Sequence, residues 1–112
     1  MPIEPRSFFI DVPSAGNIEK HRLALYEWQS RSASKGTVFC VHGLTRNARD
    51  FDSVASSLSD DYRVISIDIA GRGKSEWYLE PANYSYPSYL ADIVYVIAKL
   101  ELTNIHWVGT SM

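Results

Sequence analysis

Strand-like and helix-like segments alternate along this sequence, and no other feature restricts its fold as strongly. Thr37–Val41 is a short, continuous run of apolar and β-forming residues, which is typical of a strand buried on both faces. Similar runs at Arg63–Asp68 and Ile105–Gly109 each follow a segment with helical periodicity. This strand–helix–strand–helix–strand order predicts right-handed crossovers and a parallel sheet covered by helices.

Two amphipathic helices are expected between these strands. The buried face of the first is expected to consist of four apolar residues at helical spacing: Phe51, Val54, Ala55 and Leu58. The buried face of the second is expected to consist of Leu90, Ile93, Val94 and Ile97. Asn47 suits the N-cap of the first helix, and Pro87 suits the first turn of the second.

The segment before the first buried strand indicates an antiparallel hairpin. A turn cluster at 13–17 separates a strand at 7–12 from a loosely alternating stretch at 21–29, as in a hairpin at a sheet edge. We therefore predict an α/β fold in which an edge hairpin precedes parallel strands with crossover helices. Residues 1–112 are expected to belong to a single domain.

Composition and charge exclude several classes of protein. The net charge of −2 provides no basic stripe for nucleic acid, and no apolar run approaches the roughly 20 residues that span a bilayer. The N-terminus carries no secretory pattern. Cys40 is the only cysteine, which suits the reducing cytoplasm. No cluster of metal ligands is visible, so neither a metal nor an organic cofactor is expected.

The last strand leads directly into Gly109-Thr110-Ser111-Met112. In a strand-to-helix turn, the Gly-x-Ser pattern holds the serine hydroxyl clear of the sheet edge, where it can act as a nucleophile. A serine that merely caps a helix in a polar turn is the alternative.

A second turn, His42-Gly43-Leu44, follows the strand that ends at residue 41. If the two strands are neighbours, both turns open at the same sheet edge. The N–H groups of Leu44 and Met112 could then converge near the Ser111 hydroxyl and form an oxyanion hole. Gly43 would allow the backbone conformation that this requires.

A glycine-containing loop follows the Arg63–Asp68 strand. A phosphate-binding loop is the rival interpretation. The spacing of its glycines and lysine, however, matches neither the Gly-x-Gly-x-x-Gly pattern nor the Walker pattern with its Gly-Lys-Ser/Thr. A tight loop shaped by Gly71 and Gly73 is the better interpretation, with Asp68 bonding loop amides.

These motifs together resemble the N-terminal part of the α/β-hydrolase-fold enzymes. The resemblance spans the whole chain and is carried by three motifs in order: His42-Gly43, Asp68-x-x-Gly71-x-Gly73-x-Ser75 and Gly109-x-Ser111. It is strongest toward serine ester hydrolases of the bacterial lipase and esterase type.

The resemblance implies a carboxylic ester hydrolase that acts by acyl transfer on a small-molecule substrate, without metal or cofactor. It implies that Ser111 is the nucleophile and that the amides of Leu44 and Met112 form the oxyanion hole. His42 and Gly43 would support the oxyanion loop. Serine at this position argues against relatives that use an aspartate nucleophile.

The family's chain order places the acid and the histidine after the nucleophile, so both are expected beyond Met112. His21 and His106 are poorly placed as the base, and a Ser111–His42 pair is the weaker alternative. The remainder of the chain is therefore an expected partner. We expect the 112-residue polypeptide alone to be inactive and poorly soluble, because it would leave an apolar strand edge open.

Other interpretations of these residues stay open. Arg46 and Arg49 could meet an anionic substrate, although solvated charges are favoured. The aromatic residues after the glycine loop could line an acyl pocket or pack a helix against the sheet: Trp77, Tyr78, Tyr84, Tyr86 and Tyr89. The chain could also be a non-catalytic binding protein of the same fold, or a small self-standing α/β binding module.

Overall fold

A mixed five-stranded sheet organises the chain. The computed structural model describes residues 4–14, 20–31, 35–43, 45–78 and 84–110. The strands are β1 (Arg6–Pro13), β2 (Lys20–Trp28), β3 (Thr37–Val41), β4 (Arg63–Ile67) and β5 (Ile105–Gly109). A 3₁₀ turn, Ala48–Phe51, leads into helix α1 (Asp52–Leu58), and helix α2 is Tyr86–Lys99.

The pairing of the strands confirms the predicted fold class. The order across the sheet is β1-β2-β4-β3-β5. β1 pairs antiparallel with β2, and β2 pairs antiparallel with β4, whereas β3 is parallel to both β4 and β5. Parallel neighbours need a crossover connection, and α1 and α2 lie in the connections from β3 to β4 and from β4 to β5.

Apolar side chains cover both faces of the sheet. On one face, Ile93 and Val96 of α2 join a cluster with Leu25, Phe39 and Ile65. The opposite cluster joins strand residues to the 3₁₀ turn and α1: Trp28, Val38, Val64, Phe51 and Ala55. Because strand side chains alternate between the two faces, each central strand contributes to both clusters.

The predicted face of the first helix is partly wrong. Ala55 is fully buried, but Val54 is 47% exposed. Phe51 is buried in the 3₁₀ turn, one residue before α1 begins. Asn47 does act as an N-cap, because its side chain accepts a hydrogen bond from the Arg49 N–H (3.0 Å), although it caps the 3₁₀ turn.

The predicted face of the second helix is rotated. Ile93 is buried as expected, but Leu90 and Val94 are each 56% exposed. Tyr89 and Asp92 face the core instead, because their polar atoms find partners there: the Tyr78 hydroxyl donates to Asp92 Oδ2 (2.6 Å). The exposed residues contribute to an apolar groove along the helix: Pro87, Leu90, Ala91, Val94, Tyr95 and Ala98. No described helix is long and apolar enough to cross a membrane.

A buried carboxylate on β2 joins three strands. Glu27 is 3% exposed; its Oε1 accepts a hydrogen bond from Arg6 Nη2 (2.5 Å), and Arg63 donates to its Oε2. Burial acts to raise the pKa of Glu27, but the hydrogen bonds from the two arginines outweigh it, and the pKa lies below its ordinary value.

We expect Glu27→Gln to lower the free energy of unfolding by about 1–3 kcal/mol at neutral pH, because it weakens the hydrogen bonds to both arginines. The loss is not larger because both arginines can turn toward solvent. A lowered folded pKa stabilises the protein above the unfolded carboxyl pKa of about 4.3, and this contribution is lost as the pH falls through the folded value. Urea unfolding of the complete protein should therefore show a difference between wild type and variant that shrinks in acid. Asp11→Asn, at a largely exposed carboxylate, is the control. A difference that stays constant with pH would contradict this account.

Candidate active site

The two turns singled out in the sequence leave neighbouring strands at the same sheet edge. β3 and β5 are adjacent and parallel, with Val41 opposite Gly109. The Thr110 N–H donates to the Val41 carbonyl (3.1 Å), which continues the pairing past the end of β5. The condition set for the predicted oxyanion hole, that these strands be neighbours, is therefore confirmed. Ser111, Leu44 and Met112 lie outside the described residues, so their roles stay predictions.

His42 holds the start of the turn after β3. Its side chain is fully buried. The Ile69 N–H donates to Nε2 (2.9 Å), so Nε2 carries no proton, and Nδ1–H donates to the Gly43 carbonyl (2.6 Å). Burial lowers the pKa of His42. A neutral imidazole with both nitrogens bonded to backbone is poorly suited to be the base for Ser111, and it ties the turn after β3 to the turn after β4.

Gly43 contributes through its backbone. Its carbonyl accepts hydrogen bonds from His42 Nδ1 (2.6 Å) and from the Arg46 N–H (3.1 Å). The Gly43 carbonyl, directly after the strand end, is therefore held by two donors.

Asp68 bonds loop amides, as the sequence predicts. Its carboxylate is almost completely buried (1% exposed). Oδ1 accepts from the Ala48 N–H (2.7 Å) and Oδ2 from the Lys74 N–H (3.0 Å). One side chain thus connects the segment before α1 to the glycine loop.

Two glycines shape the loop after β4, which confirms the structural interpretation of that motif. Gly71 and Gly73 have φ values of +79° and +53°, in the left-handed region that favours glycine. A Cβ at Gly73 would lie 2.3 Å from the Asp68 carboxylate, so the loop also depends on glycine for space.

Two serines also support this region, and neither had a contact predicted from the sequence. Ser75 Oγ donates to the Asp68 carbonyl (2.5 Å) and accepts from the Ala24 N–H (2.8 Å). Ser66 Oγ donates to the Ala48 carbonyl (2.9 Å). Ser66 is a polar residue within an apolar strand, and Ser75 is the last residue of the Asp68–Ser75 motif; these were the only signals.

The other two histidines lie elsewhere. His21 is buried on β2, where its Nε2 bonds Asp92 Oδ2 and its Nδ1 bonds Ser14 Oγ (both 2.9 Å). Two strands separate β2 from β5 in the sheet, a span of about 14 Å at ordinary strand spacing. His106 lies near the start of β5, at the opposite end of that strand from Gly109, with its ring edge against Tyr62.

The arginines after the turn are paired with carboxylates. Arg46 Nε lies 2.7 Å from Asp50 Oδ2, and Arg49 Nη2 lies 2.7 Å from Asp52 Oδ2. The Arg46 side chain is 66% exposed and that of Arg49 is 42% exposed, which supports the interpretation as solvated charges.

The aromatic cluster is divided between packing and an open pocket. The Tyr78 ring contacts the rings of Tyr84 and Tyr89, with centroids 4.8 and 6.2 Å apart, and so packs the loop against α2. Trp77 is 76% exposed. Tyr84, Tyr86 and Tyr89 also line a shallow pocket of about 300 Å³, so the acyl-pocket interpretation stays open for them. Among the described residues, no group of three or more His, Cys, Asp or Glu side chains could hold a metal ion.

The sheet has an antiparallel hairpin followed by parallel strands with crossover helices, which defines a mixed α/β fold. Comparison with known proteins identifies the family. The family model described as alpha/beta hydrolase fold matches residues 36–112. The chain belongs to this family.

Its relatives include named hydrolases. The 3-hydroxybutyrate-oligomer hydrolase of Cupriavidus necator is 45% identical over 112 residues, which are 100% of this chain and 37% of that protein. A serine hydrolase-like protein of Danio rerio is 32% identical over 67% of this chain and 23% of its own length. A crystal structure of an alpha/beta hydrolase from Novosphingobium aromaticivorans superposes with a TM-score of 0.84 and 31% identity, over 96% of this chain and 35% of that one. The chain thus spans about a third of the length of these proteins or less.

Proposed function

We propose that the complete protein is a serine hydrolase of carboxylic esters that acts by acyl transfer through Ser111. The observation that supports this most is the parallel register of β3 and β5, with Val41 opposite Gly109. This register places the C-terminal ends of β3 and β5 side by side at one edge of the sheet, and each strand leads into one of the two turns. A nucleophile and main-chain donors at the same spot are what acyl transfer requires.

The proposed reaction has two steps. Ser111 Oγ attacks the ester carbonyl carbon while a histidine of the complete chain takes its proton. The amides of Leu44 and Met112 hold the negative charge on the carbonyl oxygen, and the alcohol leaves with the proton from the histidine. Water, activated by the same histidine, then hydrolyses the acyl-enzyme and regenerates the serine.

The proposed substrates are small esters of hydroxy acids. This follows from the name of the Cupriavidus relative, a 3-hydroxybutyrate-oligomer hydrolase, in whose substrate each linkage is an ester between a carboxyl and a secondary hydroxyl. No metal, cofactor, nucleic acid or membrane has a part in the proposed reaction.

We also propose a cytoplasmic location. Cys40 is the single cysteine, and burial raises the pKa of its thiol to about 12. The thiol is therefore unreactive. A single cysteine offers no internal disulfide of the kind that is common in oxidising compartments.

Covalent labelling of the complete protein tests the proposal. A fluorophosphonate probe should modify one residue, Ser111, and hydrolysis of 3-hydroxybutyrate dimers and of a short nitrophenyl ester should fall in proportion to labelling. Peptide mass spectrometry locates the adduct, and a denatured sample that should not react is the control. Full hydrolysis after complete labelling, or an adduct elsewhere, would contradict the proposal.

A further inference from the structure

We infer that Asp68 is a positioning residue for the loop between β3 and α1, which carries the proposed oxyanion donor Leu44. The inference rests on the proposed function. It concerns a residue that acts through the backbone amides that it binds.

Asp68 and Ile69, adjacent residues directly after β4, each bind one end of this loop. At its beginning, His42 Nε2 accepts the hydrogen bond from the Ile69 N–H (2.9 Å). At its end, Asp68 Oδ1 accepts from the Ala48 N–H (2.7 Å), and Ser66 Oγ donates to the Ala48 carbonyl (2.9 Å). His42 and Ala48 are therefore both fixed to the C-terminal end of β4 and the turn that follows it.

The Asp68 carboxylate is itself held in place. Lys74 N–H donates to Oδ2 (3.0 Å), Gly73 packs closely against the carboxylate, and the Asp68 N–H donates to the Ala24 carbonyl (3.0 Å). Two backbone N–H groups approach the two oxygens from different loops. An asparagine offers only one acceptor oxygen, so the position requires a carboxylate rather than an amide.

Loss of this contact should act on catalysis more than on binding. An oxyanion donor stabilises charge that develops only in the transition state, and a misplacement of about 1 Å can cost about 100-fold in rate. Without this contact, the Ala48 end of the loop that carries Leu44 is held only by the hydrogen bond from Ser66 Oγ to the Ala48 carbonyl. We therefore expect kcat to fall while KM changes little.

The chain offers a matched pair of variants for the test. Gly73→Ala places a methyl group against the Asp68 carboxylate, whereas Gly71→Ala introduces a similar left-handed strain in the same loop and meets the Tyr84 ring instead. Asp68→Asn removes one acceptor without a change of size. All are made in the complete protein and assayed with a short ester and with a trifluoromethyl ketone, which forms a tetrahedral adduct with a catalytic serine.

We expect Gly73→Ala and Asp68→Asn to lower kcat about 10- to 100-fold and to weaken ketone binding by a similar factor, with KM within about 3-fold. Gly71→Ala should lower the melting temperature but keep kcat and ketone affinity. Normal kcat and ketone affinity in Gly73→Ala and Asp68→Asn would overturn the inference, and so would equal catalytic losses in Gly71→Ala. Ser111→Ala distinguishes the two proposals. If it is inactive, a failure of the Asp68 inference leaves the proposed serine hydrolase function intact. If it retains activity, both the proposed function and the Asp68 inference are wrong.

Discussion

Replacement of Ser111 by alanine should lower kcat for ester hydrolysis by about 10⁵-fold, the largest effect expected of any single substitution in this chain. Alanine removes the atom that forms the acyl-enzyme, so the remaining rate is that of attack by water aided by binding and by the oxyanion hole. The expected change in KM is small, because Oγ forms its covalent bond only after substrate binds. Steady-state kinetics with a short nitrophenyl ester and with 3-hydroxybutyrate dimers would measure it.

Ser57→Ala is a suitable control for this experiment. Ser57 lies on α1 and is exposed, so its loss should leave the kinetics unchanged within about 2-fold. A Ser111→Ala protein with ordinary turnover and an intact fold would exclude the acyl-transfer mechanism. It would favour a water-based mechanism or the non-catalytic alternative.

The strands were the most predictable part of the fold. Thr37–Val41 and Ile105–Gly109 have the bounds that the sequence predicts. Thr37–Val41 is buried almost throughout, and a strand buried on both faces must be apolar along its length. The adjacency of β3 and β5 followed only conditionally from the sequence, since a single chain gives no direct signal of which parallel strands are neighbours.

The helix faces were less predictable, for a physical reason. Apolar residues lie on more than one side of α2, so periodicity alone does not choose between them. The choice depends on Asp92, whose partner His21 is 71 residues away in sequence. A carboxylate can be buried only where it has hydrogen-bonding partners. A local sequence pattern does not indicate a partner that is so far away in sequence.

The site was predictable at the level of motifs but not of contacts. Order and spacing indicated the two turns, and Asp68 was expected to bond loop amides. The sequence does not indicate which amides Asp68 binds, or that His42 accepts a hydrogen bond from Ile69. These contacts depend on how two loops pack after their strands pair. Ser66 was missed, and Ser75 was recognised only as part of the Asp68–Ser75 motif, for the same reason: a serine in a strand or loop is common, and its contacts depend on the carbonyl that it faces.

His42→Ala is expected to cause the second large effect, a loss of about 2–4 kcal/mol in the free energy of unfolding near pH 8. The imidazole is fully buried, and its loss leaves a cavity and an Ile69 N–H without its acceptor. The loss should depend on pH. Since burial lowers the folded pKa of His42, the unfolded chain binds more protons below its own pKa of about 6.5, and wild type loses stability there. Denaturant unfolding of the complete protein should show the difference between wild type and variant shrinking as the pH falls below about 6.5.

The same variant separates a supporting role from a catalytic one. If His42 only holds the loop, His42→Ala lowers kcat through the oxyanion donor and leaves the acid limb of the pH–rate profile in place, because another histidine is the base. If His42 takes the proton of Ser111, that limb disappears with it. His106→Ala is the control, since His106 is exposed near the start of β5 and should change neither stability nor the profile. We expect the limb to remain, because both nitrogens of His42 already bond to backbone groups and neither is available to the serine.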